Sequence, residues 1–190
     1  MKFHETPLPG VLRVELTPIC DDRGWFARAY CAREMQGAGI HETFVQTNHS
    51  QSRHRGTLRG LHYQIGPHAE AKLIRCTKGS IFDVAVDIRA GSPTFGEWFG
   101  LELSDSNYQM LYVPQGFAHG YQALSDNAEA TYQASSYYEP GSERQIRYDD
   151  MRIKVRWPIT PPILSPKDES SKPLEANFQG INLDPKFLPA

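Results

Sequence analysis

Short runs rich in β-branched and aromatic residues recur along this chain between glycine and polar turn signals, and helical periodicity is almost absent. Gly10-Val11-Leu12-Arg13-Val14-Glu15-Leu16, Lys72-Leu73-Ile74-Arg75-Cys76, Ser80-Ile81-Phe82-Asp83-Val84-Ala85-Val86-Asp87-Ile88, Gly100-Leu101-Glu102-Leu103 and Gln109-Met110-Leu111-Tyr112-Val113 each read as a strand. That spacing predicts an all-β sandwich or barrel. In the third run Asp83, Ala85 and Asp87 alternate with Phe82, Val84, Val86 and Ile88, the period of a strand whose two faces see different surroundings. A barrel enclosing a pocket could turn its polar set inward.

Helix is minor. Ala32 to Gly37 reads as the one helix, stopped by Gly37, with a further turn near Tyr148-Asp149-Asp150. From Pro158 onward, Pro158, Pro161, Pro162 and Pro166 argue against regular structure, whereas Trp157, Ile163 and Leu164 are apolar enough to anchor the segment. The stretch from about Glu169 to Ala190 reads as a loose tail. At 190 residues, without internal repeats or a linker, residues 1–190 are expected to form a single domain with one site.

Charge narrows the partners. Lys+Arg 20 against Asp+Glu 22, with no basic block, leaves no electrostatic footprint for nucleic acid, although a local cluster could still bind one anionic ligand. The start Met1-Lys2-Phe3-His4-Glu5-Thr6-Pro7 lacks an apolar signal segment and no later run approaches membrane-spanning length, so a cytoplasmic protein with no membrane partner is expected. Cys20, Cys31 and Cys76 have no metal-type spacing and read as reduced, structural thiols.

The densest polar stretch is Phe44 to Ser52, followed by Gly56-Thr57-Leu58-Arg59-Gly60-Leu61-His62-Tyr63-Gln64. On strands, Gln46, Asn48 and Ser50 share one face, as do Gly60, His62 and Gln64, with Arg59 and Leu61 on the opposite one. Pro114-Gln115-Gly116-Phe117-Ala118-His119-Gly120 is a turn delivering His119 onto a strand. The Pro114, Gly116, His119 pattern resembles the second half of the cupin barrel signature. Its first half normally carries two histidines separated by one residue, and here Gln64 stands in the second place. Two imidazoles without a placed carboxylate leave a metal site under-liganded, so no metal is expected.

Taken together, Arg59-Gly60-Leu61-His62-Tyr63-Gln64, Lys72-Leu73, Ser92-Pro93-Thr94-Phe95-Gly96, Pro114-x-Gly116-Phe117-Ala118-His119-Gly120 and Leu164-Ser165-x-Lys167-Asp168 resemble the dTDP-4-dehydrorhamnose 3,5-epimerase family, in order and separation, from about Gly10 to Asp168. The resemblance implies a cupin-type jelly-roll barrel with a few short helices. It also implies a homodimer and an isomerase that needs no cofactor or metal. Its partner would be a nucleoside-diphosphate 4-keto-6-deoxy sugar.

The residue roles it implies are chemically coherent. A carbon beside a ketone has a pKa of about 19 against roughly 6.5 for histidine, an uphill transfer of about 17 kcal/mol. A base therefore needs a cation or donor for the developing enolate. By resemblance His62 is that base, Asp168 its partner, Lys72 the stabilising cation and Tyr132 the phenol that protonates the opposite face. Arg23, Phe26, Arg28, Gln46, Asn48, Arg59, His119, Glu143 and Lys167 would bind the substrate, with Arg59 suited to bidentate phosphate contact. On the residues alone, plainer readings stay open: His62 as a bonded core histidine, Tyr132 as packing beside Tyr137 and Tyr138, Asp168 as a cap after Pro166. Asp83 is either a second-shell partner of His62 or strand alternation.

Three positions depart from the family pattern. Arg28 stands where a glutamate is common, exchanging an acceptor for a donor. Thr47 replaces an aspartate and Glu70 a glutamine. These leave the nucleotide open among dTDP, CDP, GDP and UDP. The expected reaction is inversion at C3 and C5. The alternatives are a C3-only or C5-only epimerase on a non-dTDP nucleotide sugar, or a non-catalytic sugar-binding cupin.

Overall fold

Each β-rich run forms a strand in the computed structural model, which describes residues 1–183. In chain order the strands are β1 Lys2–Glu5, β2 Leu12–Glu15, β3 Ile19–Asp21, β4 Gly24–Phe26, β5 Gln46–Ser52, β6 Leu58–Gln64, β7 Lys72–Lys78, β8 Ser80–Asp87, β9 Trp98–Ser104, β10 Gln109–Val113, β11 Phe117–Ala123, β12 Ala128–Ala134 and β13 Glu143–Gln145. Helix α1, Ala32–Gly37, follows β4, and α2, Pro166–Glu169, follows β13. Two antiparallel sheets result, ordered β1-β2-β10-β7-β12-β5 and β13-β6-β11-β8-β9, with β3 and β4 forming a separate hairpin.

Apolar alternation places the core between the sheets. Ile74, Cys76 and Leu111 from the six-stranded sheet meet Ile81, Ala85, Leu103, Phe117 and Tyr121 from the five-stranded one. Fully buried Leu and Ile side chains contribute about 1.5–3 kcal/mol each. The two faces of β8 divide as its period requires. Ile81 and Ala85 enter this core, and Phe82, Val84 and Val86 enter a second layer on the outer face. The all-β jelly-roll expectation holds in two sheets, but among the described residues no ladder joins them, so the barrel is an open sandwich. Its open end is where a ligand can enter.

Several local expectations change. The α1 bounds agree, yet the chain is reversed by Gly39, at φ +82°, not by Gly37. Ile40 N–H then bonds back to the Met35 carbonyl. Pro166 does not prevent helix. It sits in the first turn of α2, where its missing N–H costs nothing, and Ser165 caps that turn. Trp157 anchors the segment as expected, its ring against Phe82 and the outer-face core, but Ile163 is 47% exposed and is tied down through main chain: Ile163 N–H bonds the Gly56 carbonyl and Leu58 N–H bonds the Ile163 carbonyl, both at 2.9 Å. Through Leu183 the expected loose tail is instead packed. Leu174, Phe178 and Ile181 cover the outer face of the five-stranded sheet, because Val84, Val86 and Ile88 there need an apolar cover. Residues 184–190 of that expected tail lie outside the described residues.

The three cysteines are free, but only Cys76 is structural; Cys20 is exposed. Among the described residues no helix is long and apolar enough to cross a membrane.

Candidate active site

A cleft opens between the sheets in two lobes of about 260 and 330 Å³ that share His62, Lys72, Tyr132, Tyr138 and Glu143. Strand register assembles it. On the five-stranded sheet β11 sets His119 opposite His62 of β6. On the six-stranded sheet β12 sets Tyr132 opposite Asn48 of β5 and Ile74 of β7, so that Lys72, two residues from Ile74, shares its face.

One expectation fails in an instructive way. Arg59 and His62 lie an odd number of residues apart, which in a regular strand puts them on opposite faces. Both line the same lobe, because β6 carries a bulge: Tyr121 pairs with Arg59 and His119 with His62, so that Gly60 and Leu61 stand opposite the single Gly120. Gly60 makes the bulge, at φ +122°, and a Cβ there would stand 2.6 Å from the Gly120 Cα. Arg59 also donates to Ser52 Oγ at 3.3 Å and to the Gln51 carbonyl at 2.9 Å, which aims it across the cleft wall.

His62 is held by a carboxylate. Its Nε2 lies 2.6 Å from Asp168 Oδ1, and Asp168 Oδ2 accepts the Ser165 hydroxyl at 2.7 Å. Asp168 N–H in turn bonds Ser165 Oγ at 3.1 Å, so the cap of α2 and the orientation of the carboxylate are one structure. Burial pushes the Asp168 carboxyl up, and the hydrogen bonds from His62 and Ser165 more than offset this, leaving it below the ordinary value of 3.8. It is therefore ionised at neutral pH and accepts the Nε2 proton, which leaves His62 Nδ1 as the basic nitrogen.

His119 has its own partner. Its Nε2 lies 2.8 Å from Asp83 Oδ1, both residues buried. Asp83 is thus bound to His119 rather than to His62; it faces inward from β8, and β11 brings His119, not β6, against that strand. Among the described residues no group of three or more His, Cys, Asp or Glu side chains is placed to hold a metal ion.

Across the cleft, burial, followed by the Glu70 carboxylate, pushes the Tyr132 phenol up, while Arg59 and Asn48 pull the other way. The phenol is neutral at pH 7 and able to donate. Lys72 is nearly enclosed, 3.0 Å from Glu70 Oε1 and 5.9 Å from the centre of the Tyr132 ring. At the mouth Glu143 accepts from Lys167 at 2.6 Å and from the Tyr138 hydroxyl at 2.9 Å. Burial raises the Glu143 carboxyl, but Lys167 and Tyr138 hold it below its ordinary 4.5.

The structure thus brings His62, Lys72, Tyr132, Asp168, Gln46, Asn48, Arg59, His119, Glu143 and Lys167 to one cleft. It does not bring Arg23, Phe26 or Arg28 there. The β3–β4 hairpin carries Arg23, which pairs with Asp21, and Phe26, which is 70% exposed; Arg28, just beyond β4, is held by Glu34 at 2.7 Å. Sequence reasoning named Tyr138 only as a neighbour of Tyr132 and not as a rim residue of the cleft, and it gave no role to Ser165, whose Ser-Pro-x-Asp spacing is a capping signature.

The match to known proteins follows this geometry. The family model for dTDP-4-dehydrorhamnose 3,5-epimerase matches residues 5–176. The chain belongs to that family. A dTDP-4-dehydrorhamnose 3,5-epimerase of Escherichia coli (strain K12) is 47% identical over 171 residues, 89% of this chain and 92% of that protein. The crystal structure of a dTDP-6-deoxy-D-glucose-3,5-epimerase from Legionella pneumophila Philadelphia 1, in complex with dTDP-4-keto-L-rhamnose, superposes with a TM-score of 0.88 at 39% identity, covering 99% of this chain and 97% of that one. A 3'-monoepimerase from Streptomyces bikiniensis, in complex with dTDP-quinovose, superposes with a TM-score of 0.83 at 31% identity over 90% and 86% of the two chains. Members of the epimerase family are isomerases, and the sandwich seen here is their cupin-type fold.

Proposed function

We propose that the protein inverts C3 and C5 of a dTDP-linked 4-keto-6-deoxy sugar by proton abstraction and reprotonation through an enolate. The observation that carries this is a base held by a carboxylate on one sheet, His62 with Asp168, facing a neutral phenol, Tyr132, on the other. Both target carbons flank the same ketone, so one machinery serves both. His62 Nδ1 takes the proton, and the imidazolium that forms is stabilised by Asp168. Lys72 stands ready for the developing oxyanion with only 11% of its side chain exposed, where its charge counts for more than in bulk solvent. Tyr132 returns a proton from the opposite wall, which is what inversion rather than exchange requires. Arg59, Lys167 and His119 supply donors for the diphosphate and sugar, and Gln46, Asn48 and Glu143 complete the lining. The 47% identity to a dTDP-sugar epimerase supports dTDP as the nucleotide.

A second reading, inversion at one carbon only, is favoured by the likeness to the 3'-monoepimerase. One screen separates them. Incubation with dTDP-, CDP-, GDP- and UDP-linked 4-keto sugars in deuterium oxide, with NMR at C3 and C5, should give exchange and inversion at both carbons with the dTDP sugar and none in His62→Ala. Exchange at one carbon selects the second reading. No exchange with any of the four rejects catalysis and leaves a sugar-binding cupin.

The working unit we propose is a single domain of residues 1–190 assembled as a homodimer in the cytoplasm, where nucleotide sugars are available. Ile19, Trp25 and Phe26 expose large apolar surface on the β3–β4 hairpin, which supports pairing across subunits. A partner's hairpin laid over the cleft mouth would supply Arg23, Phe26 and Arg28 to the site they miss within one chain. A monomer in light scattering contradicts this.

A further inference from the structure

The chemistry above leaves a carboxylate unexplained. Glu70 lies two positions before Lys72, just ahead of β7, and both side chains line the same lobe of the cleft. Glu70 Oε1 lies 3.0 Å from the Lys72 ammonium, with only 13% and 11% of the two side chains exposed. The same ammonium sits over the Tyr132 ring. Glu70, Lys72 and Tyr132 therefore form one continuous set of contacts along the six-stranded wall. A carboxylate is costly to bury, and a glutamine would fill the space without that cost. Its charge must act on something.

Two neighbours can feel it. A lysine ammonium rides on four rotatable bonds and wanders unless an anion fixes it. A donor meant for a developing oxyanion is effective only if it is in place beforehand. We propose that Glu70 is a positioning residue, which fixes the Lys72 ammonium against Tyr132 and holds the net charge of that wall near zero. The proposal rests on the epimerase reading of the cleft. It has a consequence for the phenol, which would otherwise sit beside an uncompensated cation and give up its proton more readily. Besides Glu70 and Lys72, the charged or titratable groups lining the cleft with Tyr132 are Arg59, His62 and Tyr63 from β6, His119 and Tyr121 from β11, Tyr138 and, from β13, Glu143, and Lys167 and Asp168 from α2; β5 presents the neutral Asn48. Glu70 is the carboxylate among these that raises the phenol.

Glu70→Gln keeps shape and one acceptor while removing charge; Glu70→Ala also removes the anchor. In full-length protein labelled with [13Cζ]tyrosine, and with the Tyr132 signal assigned through Tyr132→Phe, NMR should show the Tyr132 titration moved to lower pH in Glu70→Gln. An unmoved midpoint in a folded variant overturns the proposal. In turnover, the alkaline limit of kcat/KM should fall in Glu70→Gln. In Glu70→Ala, kcat should drop by on the order of 10²-fold, the loss a displaced group produces, with KM much less changed. Glu70→Asp should restore part of it. Variants with unchanged kcat and alkaline limit refute the role. A natural protein that turns over no 4-keto sugar nucleotide rejects the epimerase reading instead, and the tyrosine titration then still decides the fate of Glu70.

Discussion

Replacing Asp168 by Asn isolates the charge behind His62. The side chains are isosteric, and the local bonding can survive, because the Ser165 hydroxyl that donates to Oδ2 can turn and accept from an amide nitrogen placed there. Oδ1 then still receives the Nε2 proton across the 2.6 Å contact. What disappears is the negative charge. A hydrogen bond to a charged partner contributes about 1.5–3 kcal/mol net, against about 1 for a neutral one. Because the imidazolium exists only after abstraction, that difference acts on the transition state and not on the bound ground state. That difference is about 0.5–2 kcal/mol, so at about 1.4 kcal/mol per decade kcat should fall roughly 2-fold to about 30-fold, with KM close to that of the natural protein. The assay is deuterium wash-in at C3 and C5 at saturating sugar nucleotide, with the melting temperature checking that α2 remains docked. Unchanged wash-in in a folded Asp168→Asn protein would refute the assignment of Asp168 as the partner that stabilises the imidazolium formed on abstraction.

Tyr132→Phe should separate exchange from inversion. His62 can still abstract and return a proton on its own face, so deuterium should enter without epimer, while inversion falls by about 10²–10⁴-fold. Inversion at the natural rate would move the donor role elsewhere, with Tyr138 the next phenol in the cleft. The acid limit of stability is the third expectation. Burial raises the fully buried Asp87, yet its bonds from Arg89, Ser92 and Thr94 leave it, like Asp168, below the ordinary 3.8. A depressed folded pKa contributes stability that is fully present above the unfolded value and lost as pH falls through the folded one. Melting temperature should therefore be level near neutrality and drop below about pH 4, with a shallower drop in Asp87→Asn, which should itself cost about 1–3 kcal/mol at pH 7. An identical acid slope in that variant would show that other groups set the limit.

How far the residues alone disclose this molecule depends on the range of the interaction that decides each feature. The period-two pattern of Asp83 to Ile88 placed the strand and its inner polar face, since alternation is a local signal. The α1 bounds were legible for the same reason. Pro166 misled because proline breaks a helix interior but suits a first turn, and only the docked position of Asp168 shows which applies. The Arg59–His62 parity failed at one inserted residue, which reverses every face after it. Asp168 lies 106 residues from His62, so no spacing rule could join them, and family motifs were needed. Arg23, Phe26 and Arg28 fall outside the cleft because one chain does not place them there, whatever their spacing.

The two halves of the base are held by different kinds of force, and this sets where the site is weakest. His62 is fixed by β6, bonded on one side to β11 and on the other to β13. Asp168 arrives on the segment from Ile159 to Ile163, whose Ile163 side chain buries little. That segment is tied to the sheet by two main-chain bonds with Gly56 and Leu58 and by the buried Gln122 amide, which donates to the Ile159 carbonyl at 2.8 Å and accepts its N–H at 2.9 Å. Beyond these four bonds, α2 itself is docked by the Asp168–His62 and Lys167–Glu143 contacts and by Ser171, whose hydroxyl donates to Gln145 Oε1 at 2.8 Å, and the chain after it packs Leu174, Phe178 and Ile181 on the five-stranded sheet. Any local opening that undocks α2 leaves His62 without its carboxylate even while the sheets persist. Gln122, which does not line the cleft, thus belongs through its two bonds to Ile159 to the residues on which the docking of Asp168 against His62 depends.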